Sequence, residues 1–139
     1  MLLKYKNNTD LSVLPDIFAE FPGIEAVFLF GSTAGGRSHQ ESDLDLAVLG
    51  GGADRSAFRL DLLTALARRG FCNVDLVLLD TEDIVMKFEA VSPNRLIYRR
   101  KDFERGAFYS KVIRQYLDFL PYLDIQRKAY KRRILHGKT

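Results

Sequence analysis

Aspartates at alternate positions of an apolar run, Asp43-Leu44-Asp45-Leu46, placed ten residues after Gly31-Ser32, constrain this chain more than any other feature. Successive side chains of a β-strand point to opposite faces, so Asp43 and Asp45 share one face while Leu44 and Leu46 share the other. Two carboxylates one pleat repeat apart repel each other unless a cation lies between them. Mg²⁺ suits that geometry, because it binds through one or two carboxylates together with substrate phosphates. The other end of the motif offers a place for phosphate. Phe28-Leu29-Phe30 reads as a buried strand, Gly31 permits a sharp turn, and Ser32 opens a short helix whose free N–H groups can face an anion. A phosphate cradle joined to metal-binding carboxylates points to nucleotide chemistry.

Gly31-Ser32, Gly36 and Ser42-Asp43-Leu44-Asp45-Leu46 together resemble the signature of the DNA polymerase β-type nucleotidyltransferase superfamily. Within it, a chain this short is most similar to the minimal nucleotidyltransferases (MNT), antitoxin partners of HEPN-domain ribonuclease toxins. The resemblance implies an α+β fold, a small mixed sheet with helices packed on it and a C-terminal helical extension. One departure from the family pattern stands out. Members often carry arginine just before the second glycine, where this chain has Gly35. That change implies a more flexible cradle and bears on nucleotide affinity rather than on the metal site.

At 139 residues and 47% hydrophobic content the chain can bury one ordinary core. The N-terminus turns polar within a few residues, and no apolar run approaches the roughly 20 residues needed to cross a bilayer. With the lone Cys72, this leads to the expectation of a cytoplasmic protein without a membrane role. Cys72 reads as a small packing residue. The net charge of +3 hides an asymmetry: residues 95–139 hold thirteen Lys/Arg against four Asp/Glu, whereas residues 1–94 hold eight against fourteen. The acidic part carries the metal motif. The basic part is a helical tail that could meet an acidic protein, line a nucleotide cleft or bind nucleic acid, the last being the weakest expectation.

Periodicity places a helix on Leu14, Ile17, Phe18 and Phe21 after Thr9-Asp10 as a cap, and a strand over 25–30. The motif helix would cover 32–37 and the aspartate strand 43–49. Asp54 or Ser56 caps a helix closed by Gly70, a third strand covers 73–79, Thr81 caps a helix over 82–90, and 96–98 add a short edge strand. From 102 the pattern is helical, with Pro121 breaking or kinking it before a second helical segment carrying Tyr122 and Tyr130, read as core or interface aromatics. We divide the chain into a nucleotidyltransferase domain, 1–100, and a helical extension, 101–139, packed on it.

Asp75, flanked by strand-forming aliphatics, would join the other two acids if its strand lies beside the aspartate strand. The superfamily resemblance implies that Asp75 then positions or deprotonates the acceptor hydroxyl. Asp43, Asp45 and Asp75 would be the catalytic and metal-binding set, holding two Mg²⁺ ions. Gly31, Ser32, Gly36 and Ser42 would bind the nucleotide, ATP serving as substrate. The implied reaction moves AMP to a tyrosine of a HEPN toxin, and a homodimer is a possible assembly. Two competing expectations are a non-catalytic antitoxin that blocks its toxin, and an antibiotic-type transferase. Arg99, Arg100, Lys101 and Arg105 are further candidates for meeting phosphate or a partner.

Overall fold

A computed structural model describes residues 11–31 and 44–135. A 3₁₀ turn over Leu11–Val13 leads into α1 (Leu14–Ala19), followed by β1 (Ile24–Leu29) and β2 (Leu44–Gly50). Then come α2 (Arg55–Arg68), β3 (Val74–Leu78), α3 (Ile84–Val91), β4 (Arg95–Arg99) and α4 (Arg105–Leu135). The four strands form one mixed sheet in the order β3-β2-β1-β4, with β1 antiparallel to β2 and β4, and β2 parallel to β3. A parallel neighbour needs a crossover, and α2 supplies it.

Both faces of the sheet are covered. On one, α1 and α2 bring Leu14, Ile17, Phe18, Leu62 and Leu66 against Val27, Leu29, Leu44, Leu46, Leu76 and Leu78. On the other, α3 and α4 bring Ala90, Val91 and Val112, with Phe103, against Ala26, Phe28 and Ala47. The two central strands are therefore nearly continuous apolar runs, as expected of strands buried on both sides. Two charges interrupt these runs, the half-buried Glu25 near the start of β1 and Asp45 in β2; Asp45, only 5% exposed, is the one buried charged side chain among the described residues.

Local chemistry sets the helix boundaries. Asp54 caps α2 by accepting from the Ala57 N–H at 3.1 Å. Gly70, with φ 97°, turns the chain out of that helix, while Phe71 N–H returns to the Leu66 carbonyl at 3.0 Å. The start of α3 differs from the sequence expectation. Asp83, not Thr81, caps it by accepting from Met86 N–H at 3.1 Å, and the Thr81 hydroxyl accepts from Asp83 N–H one turn earlier. Cys72 lies on the surface rather than in packing. The Thr9-Asp10 cap and the helix expected over 32–37 lie outside the described residues.

The basic residues around the start of α4 are tied into the fold. Arg100 pairs with Asp102 at 2.7 Å and donates to the Pro22 carbonyl, and its hydrogen bond holds the Asp102 carboxyl below the usual carboxylate range. Arg99 donates to the Phe103 carbonyl, and Arg105 to both oxygens of Asn94, which sits at φ 57°. These three arginines serve the connections at both ends of β4, a local role that spacing alone could not separate from a binding role.

α4 is one helix of 31 residues with Pro121 inside it. Proline removes the N–H that would serve the Leu117 carbonyl, and the exposed position lets water take that carbonyl instead. The sequence left a break or a kink open; the helix assignment runs through. Tyr122 and Tyr130 are 66% and 61% exposed, so they are not core aromatics. Pro121→Ala is expected to raise helicity and to stabilise the outer half of α4 by up to about 3 kcal/mol, read from ellipticity at 222 nm against temperature. Lower helicity in the variant would show that the proline shapes the helix rather than burdens it. Among the described residues no helix is long and apolar enough to cross a membrane.

Candidate active site

Three features converge where β1 ends and β2 and β3 begin. Pairing between β1 and β2 continues one residue beyond the strand, because Phe30 N–H donates to the Asp45 carbonyl at 3.1 Å. This sets Gly31 directly over the Asp45 side chain. Gly31 has φ 64°, a left-handed conformation that residues with a Cβ rarely adopt. A Cβ added there would also lie 2.5 Å from Asp45 Oδ2 and 3.2 Å from its Cγ. The glycine is thus required both by the turn and by the carboxylate beneath it. Gly31→Ala is expected to lose about 1–2 kcal/mol of stability in urea unfolding and to displace the Asp45 carboxylate. Unchanged stability would mean that the turn relaxes to negative φ without cost.

The third feature is the partner strand. In the parallel pairing Leu44, Asp45 and Leu46 face Val74, Asp75 and Leu76 in register. Paired residues of neighbouring strands share a face and lie about 4.8 Å apart along the sheet. Leu44, Leu46, Leu76 and Leu78 belong to the α1/α2 core, which assigns Asp45 and Asp75 to the opposite face. Asp45 is buried and Asp75 exposed, so the pair runs from the interior to the surface. Like charges so placed favour a cation, and oxygen donors of this kind suit a hard ion such as Mg²⁺.

Helix α2 fixes the edge strand that carries Asp75. Arg59 Nη1 donates to the Leu76 carbonyl, the residue after Asp75, and Arg55 Nη1 donates to the Asp80 carbonyl at 2.7 Å. Asp80 in turn accepts from Gly50 N–H at 3.0 Å, linking the far ends of β2 and β3. Sequence reasoning missed Arg55 and Arg59. Their spacing of four on one helix face was a signal, but it did not say which edge they would reach.

Of the expected site residues, Gly31, Asp45 and Asp75 are brought together. Ser32, Gly36, Ser42 and Asp43 lie outside the described residues, as do Gly35, Arg37 and both histidines. Among the described residues no group of three or more His, Cys, Asp or Glu is close enough to hold a metal. Beside Gly31 opens a groove of about 450 Å³, bounded among the described residues by Phe30, Gly31, Asp83, Val85, Met86, Glu89 and Ala90. A second cleft of about 410 Å³ separates α3 from α4 around Lys87, Phe119 and Tyr122. Neither was legible in the sequence.

Residues 13–103 match the family described as Polymerase beta, Nucleotidyltransferase. A relative from Shewanella oneidensis, named protein adenylyltransferase MntA, is 29% identical over 108 residues, covering 78% of this chain and 74% of its own. A crystal structure of a mutant of the toxin–antitoxin MntA-HpeT superposes with a TM-score of 0.66 at 25% identity, covering 88% of this chain and 94% of that one. The fold is shared again by a structure of a tri-AMPylated Shewanella oneidensis HEPN toxin in complex with MNT antitoxin. There the TM-score is 0.60 at 22% identity, over 88% of this chain and 92% of the other.

Proposed function

The chain belongs to the polymerase β nucleotidyltransferase family, and from that premise we propose that it is a Mg²⁺-dependent protein adenylyltransferase acting as an antitoxin. It moves AMP from ATP to a tyrosine hydroxyl of a cognate HEPN ribonuclease toxin and silences it. The observation that carries this reading is the in-register pair Asp45 and Asp75 beneath the Gly31 turn. The adenylyltransferase name of the Shewanella relative supports the reaction class.

Each residue then has a task. Asp43 and Asp45 would hold the metal, with Asp75 completing the donor set. Gly31, Ser32, Gly36 and Ser42 orient the triphosphate through backbone N–H groups and hydroxyls. When bound, Mg²⁺, two ions in this reading, would supply charge neutralisation at the attacking and leaving oxygens. Asp75, at the exposed end of the pair, accepts a hydrogen bond from the tyrosine hydroxyl, aims its oxygen at the α-phosphorus and takes its proton as that oxygen attacks. The new bond joins that oxygen to the α-phosphorus, the bond to the β-phosphate bridging oxygen breaks, and pyrophosphate departs. Such catalysis is positioning and electrostatic stabilisation, which a rigid sheet provides.

The test incubates the full chain with ATP labelled at the α-phosphate, Mg²⁺ and a candidate HEPN toxin. Label on a toxin tyrosine, with loss of ribonuclease activity, is the expected result. Neutralisation without label would favour blocking, and label on an aminoglycoside would favour the antibiotic-type reaction.

A further inference from the structure

We propose that the groove beside Gly31 receives the nucleoside of the donor nucleotide, with Met86 under the base and Glu89 accepting its exocyclic amine. The proposal rests on the nucleotidyltransferase reading above and adds the part of the substrate that the motif does not address.

The groove is bordered by Gly31, the one described residue of the proposed phosphate cradle, so a nucleoside placed there would adjoin a triphosphate held at that turn. Its floor is apolar: Phe30, Val85, Met86 and Ala90. Asp83, Met86 and Ala90 recur at helical spacing, with Glu89 three residues after Met86, so one flank of α3 presents both sulfur and carboxylate. Thioether sulfur makes favourable contacts with aromatic rings, and a volume of about 450 Å³ falls in the range of small-ligand sites.

Charge decides which end of the nucleotide enters. Asp83 and Glu89 are both exposed at the groove, and two carboxylates repel a triphosphate there. Asp83 is already engaged, its Oδ1 accepting from the Met86 N–H. Glu89 presents an acceptor to whatever lies on Met86, and an amino group on a flat ring is the matching donor. The acceptor hydroxyl belongs elsewhere: Asp75 lies on β3, across β2 from the end of β1 that borders the groove.

The experiment is calorimetric titration of the full chain, with Mg²⁺, by three probes: the non-hydrolysable ATP analogue AMP-PNP, its purine counterpart lacking the amine, and inorganic tripolyphosphate. Glu89→Leu is expected to weaken AMP-PNP roughly ten- to a hundredfold, the worth of one hydrogen bond to a charged group. The amine-free analogue should lose little, and tripolyphosphate should bind as before or more tightly. Met86→Ala should weaken both nucleotides about equally and spare tripolyphosphate. Equal losses for AMP-PNP and tripolyphosphate, or no loss in either variant, would overturn the proposal while leaving the transferase reading intact. Failure of the wild-type chain to bind any of the probes would overturn both.

Discussion

Asp45→Asn is expected to lower AMP transfer on the order of 10³-fold or more, about 4 kcal/mol of transition-state stabilisation, while the protein stays folded. The replacement keeps the size of a side chain that is 5% exposed and seated under Gly31, removes the charge and exchanges one acceptor oxygen for an amide donor. Two readouts separate a chemical role from a structural one. Label transfer to the toxin reports the reaction. Thermal unfolding with and without Mg²⁺ reports the ion, because a ligand bound only by the folded state raises the melting temperature as its concentration rises. The wild-type chain should gain stability with millimolar Mg²⁺ and nucleotide, and Asp45→Asn should gain far less. Asparagine also relieves the repulsion between positions 45 and 75. The variant without metal should therefore melt within a few degrees of wild type. Undiminished transfer by Asp45→Asn would remove the carboxylate pair from the mechanism.

The second large effect is on stability. Phe28→Ala should cost about 3–5 kcal/mol in urea unfolding, a substantial part of the 5–15 kcal/mol that holds an ordinary domain. Phe28 is 1% exposed and stacks on Phe108 at a centroid distance of 6.0 Å and 27°, with Phe103 edge-on at 6.5 Å and 77°. Those two rings come from α4 and the turn before it, so this one side chain joins the helix to β1 three residues ahead of Gly31. Truncation leaves a void in the cluster between those two rings and the sheet, where Ala26 and Ala47 are too short to fill it. A loss under about 1 kcal/mol would mean that α4 closes onto the sheet without this cluster.

The motif was legible because its chemistry has a period. Carboxylates alternating with leucines have the period of a strand, and Leu44 and Leu46 do lie in the core. Asp75 was legible for the same reason, as an acid among aliphatics, though only the parallel register with Asp45 brought the two together. Boundaries were less secure where two residues offer the same chemistry. Thr81 and Asp83 can both accept from a helix N-terminus, and the choice depends on where the chain leaves β3. The arginines at positions 99, 100 and 105 illustrate a different limit. A guanidinium looks alike in sequence whether it will meet a phosphate or the carbonyls of its own turn. Composition could not reveal the groove beside Gly31 either, since it forms where α3 crosses the sheet, a matter of docking angle rather than of pattern.

Asp45 and Asp75 are thirty positions apart along the backbone, yet they become neighbours through the parallel pairing of β2 and β3. No local segment can rehearse that encounter: the intervening helix must first dock, and loop closure over such a span precedes any reward from it. Competence for chemistry therefore arrives late and all at once during synthesis. A nascent or half-melted copy would have its cradle glycine and the two acids of one ribbon without Asp75, and would be inert in transfer rather than a poorly discriminating catalyst.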